Sequence, residues 1–548
     1  MFIPFGSEVE LLALPERFTF PFYYDVHPMA KHAVDLLQHR LKTESFGHDF
    51  GLDRKERLGA IGKMFGVLVV QDSSGKLGYL AAFSGKLGNS NHHVGFVPPV
   101  FDILDIQGFF RREEVDIHEL TIQLEQLEGS KELDKLIEAF QVFQLQWELR
   151  IDEVKLKQKA SKMIRDIKRS EALVQDPENI VVLENSLREE SMHESRALKA
   201  LKKQAQKELF ARSEQLRLFK QEIEQLRAKR AAQSAEVQQR IFERYSFLNA
   251  LGQTQNVLNL FAESPPAGAG ECAAPKLLHY AYLHELKPVC MAEFWWGMSP
   301  DSEVRMHGNF YPSCKSKCEP ILGHMLQGLD VDPNPITAIH PAKELEIIYE
   351  DDWIVAINKS PEYLSVPGKN PQPNCLEDLK KRYPEADGPL LVHRLDMSTS
   401  GIMLAAKTKL MHQRLQRQFV LRKVQKQYIA VLAGIPTQRQ GEIKLPLRVD
   451  LEDRPRQLVC YEHGSYAHTT YEVLEVANGA TRIRLLPKTG RTHQLRVHVA
   501  HHLGLNCPIK GDDLYGQKAD RLHLHAAKLG FYHPHSNEWM EINCPPTF

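Results

Sequence analysis

The stretch Leu391–Gly401, LVHRLDMSTSG, places an ionisable pair between two apolar runs. The runs PLLV before it and IMLAA after it are typical of buried strands, and Arg394 and Asp396 fall at the turn that joins them. Charged side chains are rarely buried without a partner. Because an aspartate after a strand is usually a turn former or a cap, a chemical role for Asp396 needs support from elsewhere in the chain.

That support begins about thirty residues later, in RQFVLRKVQKQYIAVLAG. Five basic residues and no acidic residue lie between Arg414 and Lys426, and Tyr428 follows on a predicted strand. Basic side chains position a phosphate backbone, and an aromatic ring offers a stacking face to a base. This region has no P-loop, GxGxxG, HExxH or paired cysteines, which argues against nucleotide-driven or metal chemistry. A carboxylate that acts there on RNA is a nucleophile or a general base.

An ordered set of motifs resembles the RluA family of pseudouridine synthases, whose catalytic pattern is close to HRLDxxTSG. The resemblance spans about Leu345 to Phe548, and its motifs are IIYEDDWIVAINK, HRLDMSTSG, VQKQYIAVLAG, GRTHQLRVH, PIKGDDLYG and LHLHAAKLGFYHP. The segment RPRQLVCYEHGSYAHTTYEV further resembles the branch that modifies a tRNA anticodon stem-loop and a hairpin of 23S rRNA. The absence of a recognisable S4-type RNA-binding domain before this region fits the same branch.

The resemblance implies an isomerase that converts uridine to pseudouridine without a cofactor. Asp396 would attack the target nucleotide, Tyr428 would lie against the uracil and assist proton transfer, and Arg491 would hold Asp396 by an ion pair. Arg394 would fill the space that a flipped base leaves. The residues expected to contact RNA are Arg394, Arg422, Lys423 and Lys426, whereas His393 and Thr399 are expected to support the loop.

Composition sets the wider expectations. The chain has 548 residues, enough for several domains, and its 69 Lys and Arg residues balance 70 Asp and Glu residues, so any basic surface is local. The start of the chain does not resemble a signal peptide, and no apolar run is long enough to predict a membrane span. Eight cysteines in so long a chain predict a reducing, cytoplasmic location rather than a disulfide framework.

The pattern of helix-forming and strand-forming segments along the sequence predicts an α+β protein. A C-terminal pseudouridine synthase domain with a mixed or antiparallel sheet follows a small α/β domain, which a long antiparallel coiled coil interrupts. The predicted parts are an N-terminal α/β part (1–108), a coiled-coil helical hairpin (109–251), a cysteine-containing α/β part (252–330), a linker (331–344) and the catalytic domain (345–548).

The predicted coiled coil is rich in helix formers and has heptad spacing at Leu209, Leu216 and Ile223. Pro177 predicts a hinge between two helical arms. A coiled coil is usually a spacer or a dimerisation arm, so we expect no chemistry there. Its candidate interactions are dimerisation and contact with the ribosome.

Cys272, Cys314 and Cys318 suggest a zinc site. A zinc nucleobase deaminase uses one ligand at a helix start, then a strand, then two closely spaced cysteines at the next helix start, and the order here is the same. The pair is CxxxC rather than CxxC, however, and Ala274 stands where a deaminase has its glutamate. We therefore expect at most one structural zinc, with Cys290 or a histidine as fourth ligand and no deaminase activity, or else buried thiols without a metal.

Three functional hypotheses remain at this point. The leading one is an RNA pseudouridine synthase acting on 23S rRNA and/or a tRNA anticodon stem-loop. The second is a non-catalytic RNA-binding or ribosome-assembly factor, against which the intact set of Asp396, Tyr428 and Arg491 argues. The third is a bifunctional enzyme with a second active domain, against which Ala274 argues.

Overall fold

The computed structural model describes residues 1–52, 61–105, 109–175, 179–335, 343–368 and 372–548. Its α-helices are α1 (Pro28–Thr43), α2 (Phe109–Glu128), α3 (Lys131–Gln175), α4 (Ile180–Arg244), α5 (Ala273–Leu283), α6 (Lys315–Met325), α7 (Cys375–Arg382), α8 (Lys409–Val420) and α9 (Gln494–Ala500). None of the helices in these ranges combines the length and apolar composition that crossing a membrane requires.

The strands pair into two main sheets and two short hairpins. In chain order they are β1 (Ile3–Pro4), β2 (Lys63–Gln71), β3 (Leu77–Phe83), β4 (Ser246–Leu248), β5 (Thr254–Asn256), β6 (Lys287–Trp296), β7 (Glu346–Glu350), β8 (Ile354–Lys359), β9 (Ser400–Ala406), β10 (Gln425–Leu432), β11 (Gln440–Ile443), β12 (Leu447–Val449), β13 (Gln457–Val459), β14 (Thr469–Ala477), β15 (Ala480–Pro487), β16 (Leu524–Tyr532) and β17 (Trp539–Asn543).

The chain divides into two compact units. One unit contains Met1–Asp102 and Phe242–Phe548, and the other contains Ile103–Ile241. The second unit is therefore an insertion between two parts of the first. The predicted hinge at Asp176–Pro177 and half of the predicted linker (336–342) lie outside the described residues.

The inserted unit is built from α2, α3 and most of α4, and its cross-helix contacts run in opposite directions along the chain. Gln158 donates to the Glu194 carbonyl at 2.6 Å, and the Arg212 guanidinium lies 4.8 Å from the centre of the Phe143 ring. Nearer the two ends of the unit, Arg227 pairs with Glu128 at 2.8 Å. Residues further along α2 and α3 therefore contact residues earlier in α4, which is the antiparallel arrangement expected of a helical hairpin.

The N-terminal sheet has the order β1-β3-β2-β6, so strands from both sides of the insertion form one sheet. Strand β6 pairs antiparallel with β2, and Gly66 lies opposite Glu293. Side chains alternate along β6 because successive residues point to opposite faces. Cys290 packs with α1 in one core, whereas Glu293 faces the start of α5, where its Cγ and Ala273 both lie near the Gly66 position.

The C-terminal sheet has the order β11-β14-β15-β10-β16-β9-β8-β7, with β17 paired to β16. All its pairings are antiparallel except β16 with β9. Helix α7 covers one face through Leu379, and α8 packs through Met411 and Leu415 into a separate core cluster. The structure is thus a mixed α+β protein with a mixed sheet in its C-terminal region, as the sequence predicts.

Within the first unit, the cysteine-containing part is tied to the C-terminal region by polar contacts. Arg305 pairs with Asp453 at 3.0 Å, and Asn309 donates to the Gly516 carbonyl at 3.0 Å. On α6, Lys317 pairs with Glu452 at 3.2 Å. These contacts place the start of α6 beside the loop that follows β12.

Candidate active site

The loop before β9 presents Asp396 at the centre of the C-terminal region. Ser365 fixes the residue before it, because the Ser365 hydroxyl donates to the Leu395 carbonyl at 2.6 Å and accepts from the Leu395 N–H at 3.1 Å. The buried Lys359 ammonium donates to the Met397 carbonyl at 2.7 Å on the other side. The Asp396 side chain itself is partly exposed. The backbone is therefore held on both sides of a carboxylate that solvent can reach.

Tyr428 reaches the same place from β10. Strands β9 and β10 flank β16, and both Gly401 and Tyr428 are paired with Ala526. Burial, followed by the charge of Asp396, raises the pKa of Tyr428 well above its ordinary value. The tyrosine is thus a neutral phenol beside the carboxylate at ordinary pH, suited to stacking and hydrogen bonding.

A buried network that the sequence interpretation did not assign lies behind these two residues. His493, at a left-handed backbone conformation before α9, shares a hydrogen bond with the Tyr515 hydroxyl at 2.9 Å. Burial, then the Arg496 charge, lowers the pKa of His493 to about 4, while the Asp396 charge opposes that shift. Arg496 pairs with the buried Asp512. The His493 imidazole is therefore neutral and lies within the electrostatic reach of Asp396.

Arg491 occupies a different position from the one expected. Its side chain is exposed, and its Nε donates to the Tyr466 carbonyl at 3.2 Å. Within the residues that the structure describes, no ion pair joins Arg491 to Asp396. A cation that sequence reasoning missed, the buried Lys359 ammonium, interacts electrostatically with Asp396. Because ammonium burial dominates, the pKa of Lys359 is lowered to about 8.

The predicted RNA-contacting residues divide into two groups. Arg394, Arg422 and Lys423 are exposed. Lys426 is half-buried and donates to the Thr489 carbonyl at 3.0 Å, and burial lowers its pKa to about 8. Its contacts favour a role in holding the Thr489 loop over a phosphate contact, which differs from the expectation.

His393 supports the loop, as expected for a structural residue. Its Nε2 accepts from the Leu404 N–H at 3.0 Å, and its ring stacks on Phe419 with 5.0 Å between centroids. Burial lowers the pKa of His393 to about 3. The imidazole therefore remains a neutral acceptor that joins the Asp396 loop to β9 and α8.

The three cysteines of the predicted zinc site come together in the first unit. The Cys272 and Cys314 sulfurs are 4.0 Å apart, those of Cys314 and Cys318 are 3.4 Å apart, and all three lie within 4.8 Å of one another. Contacts with Cys272 and Cys318, and backbone N–H groups at the start of α6, lower the pKa of Cys314. Cys290 is elsewhere, with its sulfur 3.8 Å from His27 Nδ1, so the expectation that it could be a fourth ligand is wrong.

Glu293 is a buried carboxylate beside this cluster that the sequence interpretation missed. It accepts hydrogen bonds from the Ser313 hydroxyl and from the Ala274 N–H. Burial, opposed by the Ser313 hydrogen bond, raises its pKa to about 7, and the charge on Cys314 adds to the rise. No ion pair involves Glu293 in the described part of the chain. The sequence signal is a single acidic residue within the otherwise apolar strand PVCMAEFWW.

Comparisons with known proteins match the region of the chain that contains Asp396 and Tyr428. The family model described as RNA pseudouridylate synthase matches residues 353–501. The dual-specificity RNA pseudouridine synthase RluA of Pasteurella multocida is 44% identical over 212 residues, which cover 37% of this chain and 94% of that protein. The protein of the same name from Haemophilus ducreyi is 47% identical over 215 residues, covering 37% of this chain and 94% of that protein.

Among solved structures, human RNA pseudouridylate synthase domain containing 1 is 28% identical, with a TM-score of 0.33, and the match covers 38% of this chain and 87% of that one. The curated relatives are matched over nearly their whole length, at an identity far above the level at which family membership is in question. The chain belongs to the RNA pseudouridylate synthase family, and it is an RNA-modifying isomerase.

Proposed function

We propose that this chain isomerises specific uridines in structured RNA, in 23S rRNA and/or a tRNA anticodon stem-loop, with Asp396 as the catalytic carboxylate. The observation that carries the proposal is the convergence of Asp396, Tyr428 and His493 from three separate segments. The relatives named dual-specificity RNA pseudouridine synthases support more than one RNA substrate. Ribosomal and transfer RNA substrates are consistent with the cytoplasmic location that the cysteine content predicts.

In the proposed reaction, Asp396 attacks the target nucleotide as the bond between uracil N1 and ribose C1′ breaks. The uracil rotates within the site, C5 bonds to C1′ as the bond to Asp396 breaks and the carboxylate is released, and the proton at C5 leaves while N1 gains one. The substrate and product have the same atoms, so no oxidant, reductant or cofactor is required. Tyr428 stacks against the rotating ring, and its neutral hydroxyl is placed to assist the proton transfer.

Arg491 is proposed to pair with Asp396 in the RNA-bound state. In the structure its guanidinium donates through Nε to one backbone carbonyl, that of Tyr466, and is exposed. A surface hydrogen bond of this kind has a small net free energy, so the binding of an anionic backbone can replace it. The ion pair would then form together with the productive complex, when the RNA also excludes water from Asp396.

The exposed arginines are proposed to bind the RNA around the flipped nucleotide. Arg394 is two residues from Asp396 and is proposed to occupy the gap left in the helix. Arg422 and Lys423 follow α8 and are proposed to contact phosphates, which would position the hairpin without reading its sequence. Lys426 is proposed to act through the Thr489 loop instead.

Pseudouridine mapping tests the substrate proposal. Total RNA from cells with and without the protein is compared at single-nucleotide resolution, and the purified chain is then tested on 23S rRNA fragments and anticodon stem-loops. Loss of a pseudouridine in cells, restored by the purified chain at the same nucleotide, supports the proposal. A chain that modifies neither RNA class in vitro, together with an unchanged cellular map, contradicts it.

We also propose that Cys272, Cys314 and Cys318 hold one zinc ion. A tetrahedral site with Zn–S bonds of about 2.3 Å has sulfurs about 3.8 Å apart. The observed separations, 3.4 Å for Cys314–Cys318 and 4.0 Å for Cys272–Cys314, lie on either side of that value. Cys272 and Cys314 are the N-cap residues of α5 and α6. Helix N-termini favour thiolate over thiol. Metal analysis of the purified chain is expected to find one zinc, lost in the Cys314→Ser, Cys318→Ser variant.

For the inserted coiled coil, we propose a spacer that takes no part in the chemistry. The domain boundaries predicted from sequence are part of the same proposal, with residues 1–108 and 252–330 forming one α/β domain. A second copy of the chain and the ribosome remain the proposed partners of the coiled coil. Measuring the mass in solution tests for dimerisation, and sedimentation with ribosomes tests for ribosome contact.

A further inference from the structure

The carboxylate that the sequence lacks at position 274 is supplied from the neighbouring strand. Ala274, two residues after Cys272, cannot exchange protons, but its N–H donates to the Glu293 carboxylate. That side chain is 3% exposed and is also bonded to Ser313, the residue before Cys314. Glu293 therefore lies between the segments that carry the proposed zinc ligands, and the structure removes the sequence-based argument against chemistry at this place.

A glycine lies opposite this carboxylate in the N-terminal sheet. Gly66 on β2 lies opposite Glu293, and a Cβ at Gly66 would be 3.0 Å from Ala273 Cβ and 3.4 Å from Glu293 Cγ. The approach to Ala273 is tighter than ordinary packing allows and the one to Glu293 Cγ is close to ordinary contact, so a side chain here would push the start of α5 away. Glycine at this position lets the start of α5 and the acidic side chain approach the same strand.

Glu293 is placed as a neighbour of the cluster and not as one of its ligands. The group of mutually close ligand atoms contains only Cys272, Cys314 and Cys318 among the described residues. Three protein ligands leave the fourth position of a tetrahedral zinc open, which is the arrangement of catalytic and not structural sites. Cys272 and Cys314 are only partly buried, so solvent reaches part of the cluster.

We infer that Cys272, Cys314, Cys318 and Glu293 form a hydrolytic zinc centre that removes an amino group from a nucleobase. The inference rests on the proposed zinc site. Zinc polarises the water in its open position, and Glu293 accepts a proton from that water. The water oxygen then bonds to the ring carbon that carries the amino group, Glu293 returns the proton to the departing nitrogen, and ammonia leaves. One amine and one water give one carbonyl and one ammonia, so no other reactant is needed.

A nucleobase is the substrate that the surroundings favour. Helix α6 carries Cys318, and its Lys317 pairs with Glu452 of the RNA-modifying region, while Arg305 nearby pairs with Asp453. The proposed centre is therefore attached to a domain whose own substrate is an RNA base. A free nucleoside and a base within RNA share the same amino-substituted ring, and assays on both kinds of substrate distinguish them.

The test uses the full-length chain with measured zinc content. Cytidine, adenosine and a short RNA hairpin containing both bases are incubated with the wild type, with Glu293→Gln and with Glu319→Gln, an exposed acid on α6 as the control. Ammonia is measured directly, and mass spectrometry detects the gain of about 1 Da that replacement of an amino group by oxygen produces. Tritium release from uridine-labelled RNA is followed in parallel as the isomerase readout.

The expected result is zinc-dependent ammonia release by the wild type and by Glu319→Gln. In Glu293→Gln we expect unchanged zinc and unchanged isomerase activity but at least ~100-fold slower ammonia release. Release from nucleosides alone or from RNA alone identifies the source. Zinc-loaded wild type that releases ammonia from none of the three probes overturns the hydrolytic inference and leaves the zinc proposal standing. Absence of zinc overturns both, and loss of zinc in Glu293→Gln makes Glu293 a ligand and also overturns the inference.

Discussion

The Lys359 ammonium donates to the Met397 carbonyl at 2.7 Å, and so fixes the backbone one residue beyond the proposed catalytic Asp396. The same ammonium donates to the carbonyls of Tyr363 at 2.7 Å and Ser360 at 2.8 Å. Lys359 is buried at the end of β8, and it forms these bonds with backbone carbonyls in place of a carboxylate partner. A buried cation therefore orders two loops and contributes positive potential at Asp396.

Lys359→Met is expected to lower both stability and activity. The substitution keeps most of the buried volume but leaves three carbonyls without their donor, at a cost of about 2–4 kcal/mol in the free energy of unfolding. Urea unfolding measures the loss, and tritium release from uridine-labelled RNA at a temperature where the variant is folded measures activity. Lys380→Met, at an exposed position on α7, is the control and is expected to change neither. Normal activity of folded Lys359→Met would show that Asp396 is positioned without this contact.

Acid is expected to destabilise the C-terminal region through its buried histidines. His498 lies between Thr469 Oγ1 at 3.0 Å and the Leu445 carbonyl at 3.1 Å, and burial lowers its pKa to about 4. The unfolded chain, with a pKa near 6.5, binds a proton first as the pH falls. The stabilising contribution of the neutral ring is therefore complete above about pH 6.5 and decreases between 6.5 and 4.

His498 alone is expected to account for about 2 kcal/mol of lost unfolding free energy between pH 7.5 and 5. Urea unfolding at a series of pH values measures this. His498→Gln should be less stable at pH 7.5 but should lose less stability on acidification, whereas His463→Gln, at an exposed position, should keep the wild-type slope. An unchanged slope in His498→Gln would assign the acid sensitivity to other groups.

Removal of the inserted unit is expected to leave isomerisation intact. The Tyr245 hydroxyl donates to the Phe101 carbonyl at 3.4 Å, so the two ends of the first unit lie close together and a short linker can replace Ile103–Ile241. Because insertions between adjacent ends are well tolerated, activity on a short RNA hairpin should remain within about threefold of the full-length value. Circular dichroism and zinc content verify folding. A folded deletion variant without activity would give the coiled coil a role in catalysis.

Arg422 is expected to act on RNA affinity and not on chemistry. It is exposed in the turn after α8, where a phosphate can approach it. Arg422→Gln should weaken binding and reduce the slope of log K against log salt by about 1, with little change in the rate at saturating RNA. Arg382→Gln, which removes an exposed charge on α7, is the matched control. Equal salt slopes for wild type and Arg422→Gln would exclude a phosphate contact.

The sequence predicts the fold class and the family because those depend on ordered local motifs. The HRLD loop, the tyrosine on β10 and the cysteine-bearing helix starts are all recognisable from their neighbours in the chain. The roles of single residues are harder to predict, since they depend on which distant segment lies opposite. Arg491 and Lys426 illustrate this point, because backbone carbonyls of Tyr466 and Thr489 accept their hydrogen bonds.

Lys359 and Glu293 are residues whose importance the sequence signals but whose partners it does not predict. Each is a lone charged residue at or within an apolar strand, which signals a special environment but not a partner. The partner of Lys359 lies 38 residues away at Met397. Glu293 reaches its place only through the pairing of β6 with β2 across the inserted coiled coil, which no local pattern encodes. Such residues can be flagged from sequence, but their function requires the fold.

Asp396→Asn is expected to abolish isomerisation while leaving fold and RNA affinity near the wild-type values. The amide preserves the shape of the carboxylate, and the loop is held by the bonds of Ser365 and Lys359 to its backbone, which the substitution leaves in place. An amide is not a competent nucleophile or base, so the rate of tritium release from C5-labelled RNA should fall at least ~1000-fold. Asp352→Asn, at an exposed position before β8, removes the same charge and should retain full activity. Saturating RNA and a binding measurement separate the chemical step from affinity, because a loss of transition-state stabilisation lowers the rate without weakening binding. Release by Asp396→Asn at a rate near that of the wild type, in protein free of wild-type contamination, would remove Asp396 from the mechanism and return the chemistry to another group.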